Sequence, residues 1–158
     1  MRLELVKDWM SREVITAVPT TGLLEADSLM RENKIRRLPV VENGRVVGMV
    51  TFGDVRSARP SAATSLSTWE MNYLLANLKL GEIMTRQPQT VAPDATIGEA
   101  ANIMLTHRIS GLPVVDGSGK LLGIITESDI FRMVAHQWRQ VMEEESPQAY
   151  QHYDQGQS

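Results

Sequence analysis

No cysteine occurs anywhere in the 158 residues. That excludes disulfides, thiolate metal sites and a cysteine nucleophile together. A basic surplus is missing too: 16 Lys and Arg stand against 19 Asp and Glu, giving a formal charge of -3, whereas general nucleic-acid binders carry a marked positive excess. No apolar stretch approaches the roughly 20 residues that cross a bilayer, and the start Met1-Arg2-Leu3-Glu4-Leu5 leads into no signal-peptide core. A cytoplasmic location with no membrane contact is the expectation. Catalytic signatures are lacking as well: there is no nucleophile elbow, no Walker loop and no dinucleotide fingerprint. His107, His136 and His152 have no carboxylates at metal-ligand spacing. His107, Ser110 and Asp116 make a triad on paper only, with nothing to form an oxyanion hole. We therefore expect no catalytic residues, no metal and no enzymatic activity.

What the chain does have is a copy of itself. The segment Met10 to Asp54 returns as Met84 to Asp129, and a repeat of this kind governs the whole fold. Met10-Ser11-Arg12 answers to Met84-Thr85-Arg86, Pro19 to Pro93, and Glu25-Ala26 to Glu99-Ala100. Ile35-Arg36-Arg37-Leu38-Pro39-Val40-Val41 answers to Ile109-Ser110-Gly111-Leu112-Pro113-Val114-Val115. Gly48-Met49-Val50-Thr51-Phe52-Gly53-Asp54 answers to Gly123-Ile124-Ile125-Thr126-Glu127-Ser128-Asp129. The second copy gains one residue in the turn Asp116-Gly117-Ser118-Gly119, where a hairpin tolerates it.

Each copy reads strand, helix, strand, strand, helix. Val14 to Val18 and Thr90-Val91 are short extended segments. Thr96 with Glu99 forms a capping box, and Ile97, Ala100, Ala101 and Met104 share one helical face behind it. In the first copy Gly22 takes the cap, ahead of Leu23, Ala26, Leu29 and Met30. Leu38–Val41 with Val46–Val50, and Leu112–Val115 with Leu121–Ile125, make two hairpins. A further helix starts near Asp54 and near Asp129, the latter running through Trp138 toward Glu145. A unit of about 50 residues buries too little apolar surface alone, so the fold class expected is α/β (α+β). Two βαββα repeats pack through their sheets with pseudo-two-fold symmetry. Between them, residues 60–80 form a linker: a polar stretch from Pro60 to Ser67, then a helix from Trp69 to Leu78 capped by Ser67 or Thr68. The Gln-rich tail 146–158 is expected to be mobile. The nine methionines read as core and interface filler.

Gly-hydrophobic-X-Thr-X-X-Asp behind Leu-Pro-Val-Val, present twice in register, resembles the CBS domain, named for cystathionine β-synthase. The resemblance covers Lys7 to Val141, with one domain at 7–59 and a second at 81–141. The linker from Ala62 to Leu75 is similar to that of stand-alone bacterial pairs of the acetoin-utilisation protein B group. The resemblance implies a cleft between the repeats that takes AMP, ADP or ATP, with S-adenosylmethionine a further candidate. Asp54 or Asp129 would meet the ribose, joined by Thr51 or Thr126. Adenine would lie near Ile35 or Ile109 and the backbone at Thr16 or Thr90, with Ser110 and Gly111 leaving it room. His107 and Arg108 would reach across to phosphate, where the first repeat offers Asn33 and Lys34, a departure from the His-Arg form. The pocket at Asp129 would then fit base and ribose better, and the one at Asp54, crowded by Arg36 and Arg37 unless they swing out toward phosphate, would bind more weakly or favour more phosphates.

Local spacing alone also allows Thr51-X-X-Asp54 and Thr126-X-X-Asp129 to be helix caps without a ligand. Arg31, Lys34, Arg36, Arg37 and Arg45 form a basic cluster, most simply a solvated face, without the interleaved aromatics of a single-strand binder. The expected role is regulatory: ligand binding changes the angle between repeats, and a separate effector protein reads the change. The alternatives are a scaffold without nucleotide and a nucleic-acid-binding regulator. A C₂ homodimer is expected through the stripe Ile97, Ala101, Met104, Leu105, Ile130, Met133 and Val134.

Overall fold

A computed structural model describes residues 3–59 and 66–145 of the chain. Residues 60–65 of the polar stretch expected from Pro60 to Ser67, and the tail expected at 146–158, lie outside the described residues. Both hairpins form. Strand β1 (Arg37–Glu42) pairs antiparallel with β2 (Arg45–Thr51). The turn is Asn43-Gly44 with φ of 51° and 77°, the two positive angles of a type I′ turn, which matches the natural strand twist. In the second copy β4 (Gly111–Val115) pairs with β5 (Leu121–Thr126), and the register shifts at Val114/Val115, as it does at Val40/Val41. Its longer turn is held by Asp116, whose Oδ1 accepts from the Ser118 amide, the Ser118 hydroxyl and the Lys120 amide.

The amphipathic helices lie where the periodicity puts them. Helix α2 (Leu23–Glu32) starts at Gly22, and α6 (Ile97–His107) starts at the Thr96–Glu99 capping box. Both stop the same way. The amides of Ile35 and Ile109 reach back to Met30 and Met104, while Lys34 and Arg108 adopt φ of 53° and 54°. This is the left-handed C-terminal cap that usually carries glycine. Helix α3 (Phe52–Ala58) and helix α7 (Glu127–Glu145) begin two residues ahead of the expected aspartates, because Thr51 and Thr126 close the preceding strands. The linker helix α4 (Thr68–Asn77) is capped by Ser67 with Glu70. Val14–Val18 and Thr90-Val91 are thinner than expected. Each contributes one parallel bridge, Ala17 to Val40 and Val91 to Val114.

Two short helices that sequence periodicity does not reveal tie the repeats together. Helix α1 (Val6–Trp9) precedes the first repeat but buries Val6 in the second core, among Ile97, Ala100, Leu112, Val114 and Ile125. Helix α5 (Leu80–Ile83) precedes the second repeat but buries Leu80 in the first core, with Leu23, Met30, Leu38 and Val50. Each fully buried Val or Leu contributes about 1.5–3 kcal/mol. The strands cross in the same sense: β3 (Thr85–Arg86) pairs with β2 of the first repeat, and Ser11 bridges to Ile124 of the second. Between the hairpins, Val46 donates to Gly119 at 3.1 Å and Leu121 donates to Gly44 at 3.0 Å. These equivalent bonds straddle the pseudo-two-fold axis. The expected association stripe needs correcting, because Ile97 and Met104 are buried in the second core and offer nothing to a partner. The exposed apolar face instead consists of Leu105 with Phe131, Val134, Trp138 and Val141 along α7.

Candidate functional site

The two threonine–aspartate turns cap helices. Asp54 accepts from the Thr51 amide at 2.8 Å, and the Thr51 hydroxyl accepts from the Asp54 amide at 3.1 Å. The second turn has a different pattern. Oδ2 of Asp129 accepts from both the amide and the hydroxyl of Thr126, at 2.8 and 3.1 Å, and Oδ1 takes Nη1 of Arg132 at 2.7 Å. Asp129 is 4% exposed, so its charge is buried and compensated at both oxygens. The Arg132 side chain is 64% exposed, which makes its half of the pair replaceable.

A cleft of about 860 Å³ opens between the repeats. One wall is α6 and the turn after it, from Ala101, Met104 and Leu105 to His107, Arg108 and Ile109. The start of β4 supplies Ser110, Gly111 and Pro113, and the start of α7 supplies Glu127, Ile130 and Phe131. Arg37, Met49 and Thr51 of the first repeat complete it, with the segment Thr85 to Gln89. The cleft is mainly apolar with a few convergent polar groups, the composition of small-molecule sites.

Arg37 is the residue that sequence reasoning misplaced. The sequence reads it as part of a solvated basic cluster or as crowding the Asp54 pocket, yet it is half-buried and crosses to the second repeat, where its guanidinium donates to the Ser110 hydroxyl. Burial holds the guanidinium below its ordinary pKa, Glu127 partly offsets this, and Arg36 adds to it. The group stays cationic throughout the physiological range. Gly111 makes room for it, since a Cβ there would sit 2.7 Å from Cδ of Arg37. The pairing of Arg37 with a glycine at the equivalent position of the other copy was the available signal.

Of the site residues expected from the sequence, Thr51, His107, Arg108, Ile109, Ser110 and Gly111 line this cleft. Thr16, Lys34, Ile35, Asp54, Thr90, Thr126 and Asp129 do not line it, although Asp129 stands on the same helical turn as Glu127 and Ile130. Met49, Gln87, Gln89, Glu127, Ile130 and Phe131 were not anticipated. Among the described residues no cluster of His, Asp and Glu is placed to hold a metal. No helix of the described residues is long and apolar enough to cross a membrane.

The family model of the CBS domain matches residues 6–61 and 80–136. A Vibrio cholerae protein provisionally named for acetoin utilization (AcuB) superposes with a TM-score of 0.73 at 32% identity, over 92% of this chain and 98% of that one. The CBS domain pair of protein MJ0100, solved with 5′-methylthioadenosine and S-adenosyl-L-methionine, gives 0.71 at 31% identity over 86% of this chain and 99% of that one. CBSX2, solved in complex with AMP and also known from Arabidopsis thaliana, gives 0.72 at 29% identity over 84% and 97%. Two curated relatives, 34% and 37% identical, are much longer, and the chain spans 48% and 24% of their lengths.

Proposed function

The chain belongs to the CBS domain family, and from that premise we propose that its cleft takes an adenosine ligand and that the protein is a regulatory module with no catalysis of its own. The observation that carries the reading is the cleft: about 860 Å³, apolar along α6 and α7, with two arginines at its walls. That volume lies within the roughly 300–1,000 Å³ of small-molecule sites. Adenine would pack on Ile109, Met104 and Ile130, beside the small residues Ser110 and Gly111. Ribose would turn toward the start of α7, where Asp129 exchanges Arg132 for sugar hydroxyls. Arg108 and Arg37 would take phosphate, since a guanidinium fork matches phosphate oxygens. AMP, ADP and ATP suit that end. S-adenosylmethionine would place its sulfonium toward Glu127.

Ligand binding would act by favouring one angle between the repeats, which requires different affinities for the two shapes. A separate effector protein would read the result. The protein would do this as a homodimer: Phe131, Val134, Trp138 and Val141 recur at the three-and-four spacing of a helix-pairing seam. The test of function is calorimetry with AMP, ADP, ATP, S-adenosylmethionine and 5′-methylthioadenosine. Saturable binding of at least one is expected, and heat from none of them would overturn the reading.

A further inference from the structure

We propose, resting on the adenosine-ligand reading, that each chain binds one ligand and not two, because the first repeat plugs its own counterpart of the cleft with an ionic cluster centred on Asp27. The repeat register carries the helical wall of the cleft onto the first repeat position by position. Ala101 becomes Asp27, Leu105 becomes Arg31, Glu127 becomes Phe52, and Val134 becomes Arg59. The second repeat thus presents a small methyl group and a leucine that is 79% exposed. The first presents a carboxylate and two long cations.

Those groups grip one another. Both oxygens of Asp27 accept from Nε of Arg31, each at 3.1 Å, and Oδ2 also accepts from Nη2 of Arg59 at 2.8 Å. The guanidinium of Arg31 then lies 5.5 Å from the centre of the Phe52 ring, a cation–π contact. The Asp27 side chain is 13% exposed while those of Arg31 and Arg59 are 61% and 39% exposed. The carboxylate is therefore covered by its own partners. A base entering between α2 and α3 would have to lift both arginines and strand that carboxylate in a half-buried site, the costly outcome for a charge that loses its partners. The buried pair of the second repeat, Asp129 with Arg132, stands at the start of α7, where sugar hydroxyls can replace the arginine without leaving the carboxylate bare, and not beside Ala101. Arg37 adds to the asymmetry, because it leaves its own repeat and reaches Ser110 in the other.

The experiment is isothermal titration of the full chain with AMP and with 5′-methylthioadenosine. One equivalent per chain is expected. Leu105→Arg, at a surface position that tolerates it, should weaken binding at least tenfold, and Ala101→Asp with Leu105→Arg should abolish it. Asp27→Ala should keep the first event within about twofold and add a second, weaker one. Two equivalents in the unmodified chain would overturn the proposal, as would one equivalent that survives the double transplant. A folded Asp27→Ala chain that still binds one equivalent would overturn it too, and Arg31→Leu with Phe52→Glu repeats that arm should Asp27→Ala fail to fold. No heat from either ligand in the unmodified chain would instead sink the functional reading beneath it.

Discussion

Replacing Asp129 by alanine removes two things that stand on different oxygens. Oδ2 serves the protein, holding the amide and hydroxyl of Thr126. Its loss costs a helix cap, about 1 kcal/mol. It also leaves the Thr126 hydroxyl without its acceptor, adding about 0.5–1.5 kcal/mol. A total near 1.5–2.5 kcal/mol lowers the melting temperature by about 3–10 °C for a chain of this size. Oδ1 is held by Arg132, itself exposed but paired with a carboxylate that is only 5% exposed, so a ligand has to replace the arginine and not merely remove it. A ribose hydroxyl donating to that carboxylate gains about 1.5–3 kcal/mol. The net effect on affinity is a loss on the order of tenfold to a hundredfold. Asp129→Asn keeps an acceptor for Thr126 and loses the charge, so it should retain most of the stability while binding remains weakened. Arg132→Ala frees Oδ1 and should not weaken binding, while lowering the stability of the free chain because a buried carboxylate loses its partner. Thermal melts and calorimetry on the three variants decide the matter. An Asp129→Ala chain that melts early but binds within twofold of the unmodified chain would show that the carboxylate is a cap alone.

Arg108→Gly should stabilise the chain by about 1 kcal/mol, because glycine accepts the left-handed cap that arginine holds at a cost, while affinity for AMP falls; melting and titration would show the opposite signs. Gly123→Ala should destabilise by more than Gly48→Ala. The added Cβ meets the Ser11 backbone carbonyl at 2.6 Å in the first case and the flexible Met84 sulfur at 2.4 Å in the second, and the first clash costs about 1–3 kcal/mol; equal denaturation midpoints would refute this. The Asp116 carboxyl is held below the ordinary aspartate value by the Ser118 hydroxyl and the Ser118 and Lys120 amides. Its contribution to stability is therefore full above the ordinary value and fades as pH falls through the lower folded value, so Asp116→Asn should flatten the acid limb of the stability curve. Phe131→Glu should shift the mass seen by light scattering from dimer to monomer; a chain that is monomeric before the change would refute the helix-face assembly.

Local chemistry was readable from the sequence wherever the signal sits within a few residues. Asn43-Gly44 announces its turn, Thr96 with Glu99 announces its cap, and the apolar spacing behind Thr96 announces the buried face of α6. Four-residue helices such as α1 and α5 carry no periodic signal. Their placement in the opposite core is settled by packing between segments far apart in the chain, which a repeat alignment cannot distinguish from packing within each copy. The same limit applies to the site. Ile109, Ser110, Gly111, His107 and Arg108, expected through the repeat and the resemblance, line the cleft. Arg37 reads from the sequence as a surface charge or as crowding the Asp54 pocket, because its partner, Ser110, belongs to the other copy. Phe131 and Trp138 are exposed while Met104, expected on the association stripe, is buried, since apolar character alone does not say which side of a helix faces the core.

The exchange of the two lead-in helices sets a timetable for synthesis. Val6 leaves the ribosome well before its partners: the amide of Ile97 that bonds to the Glu4 carbonyl and the core that closes over Val6 come from the second repeat. The amino-terminal segment must wait, unpartnered, until β5 has emerged. The first core is also incomplete until Leu80 arrives. Contacts so distant in sequence slow folding, and they make a half-finished chain a poor substitute for either domain. Truncation between the repeats should therefore yield two fragments, each missing a piece of its own core that the other carries.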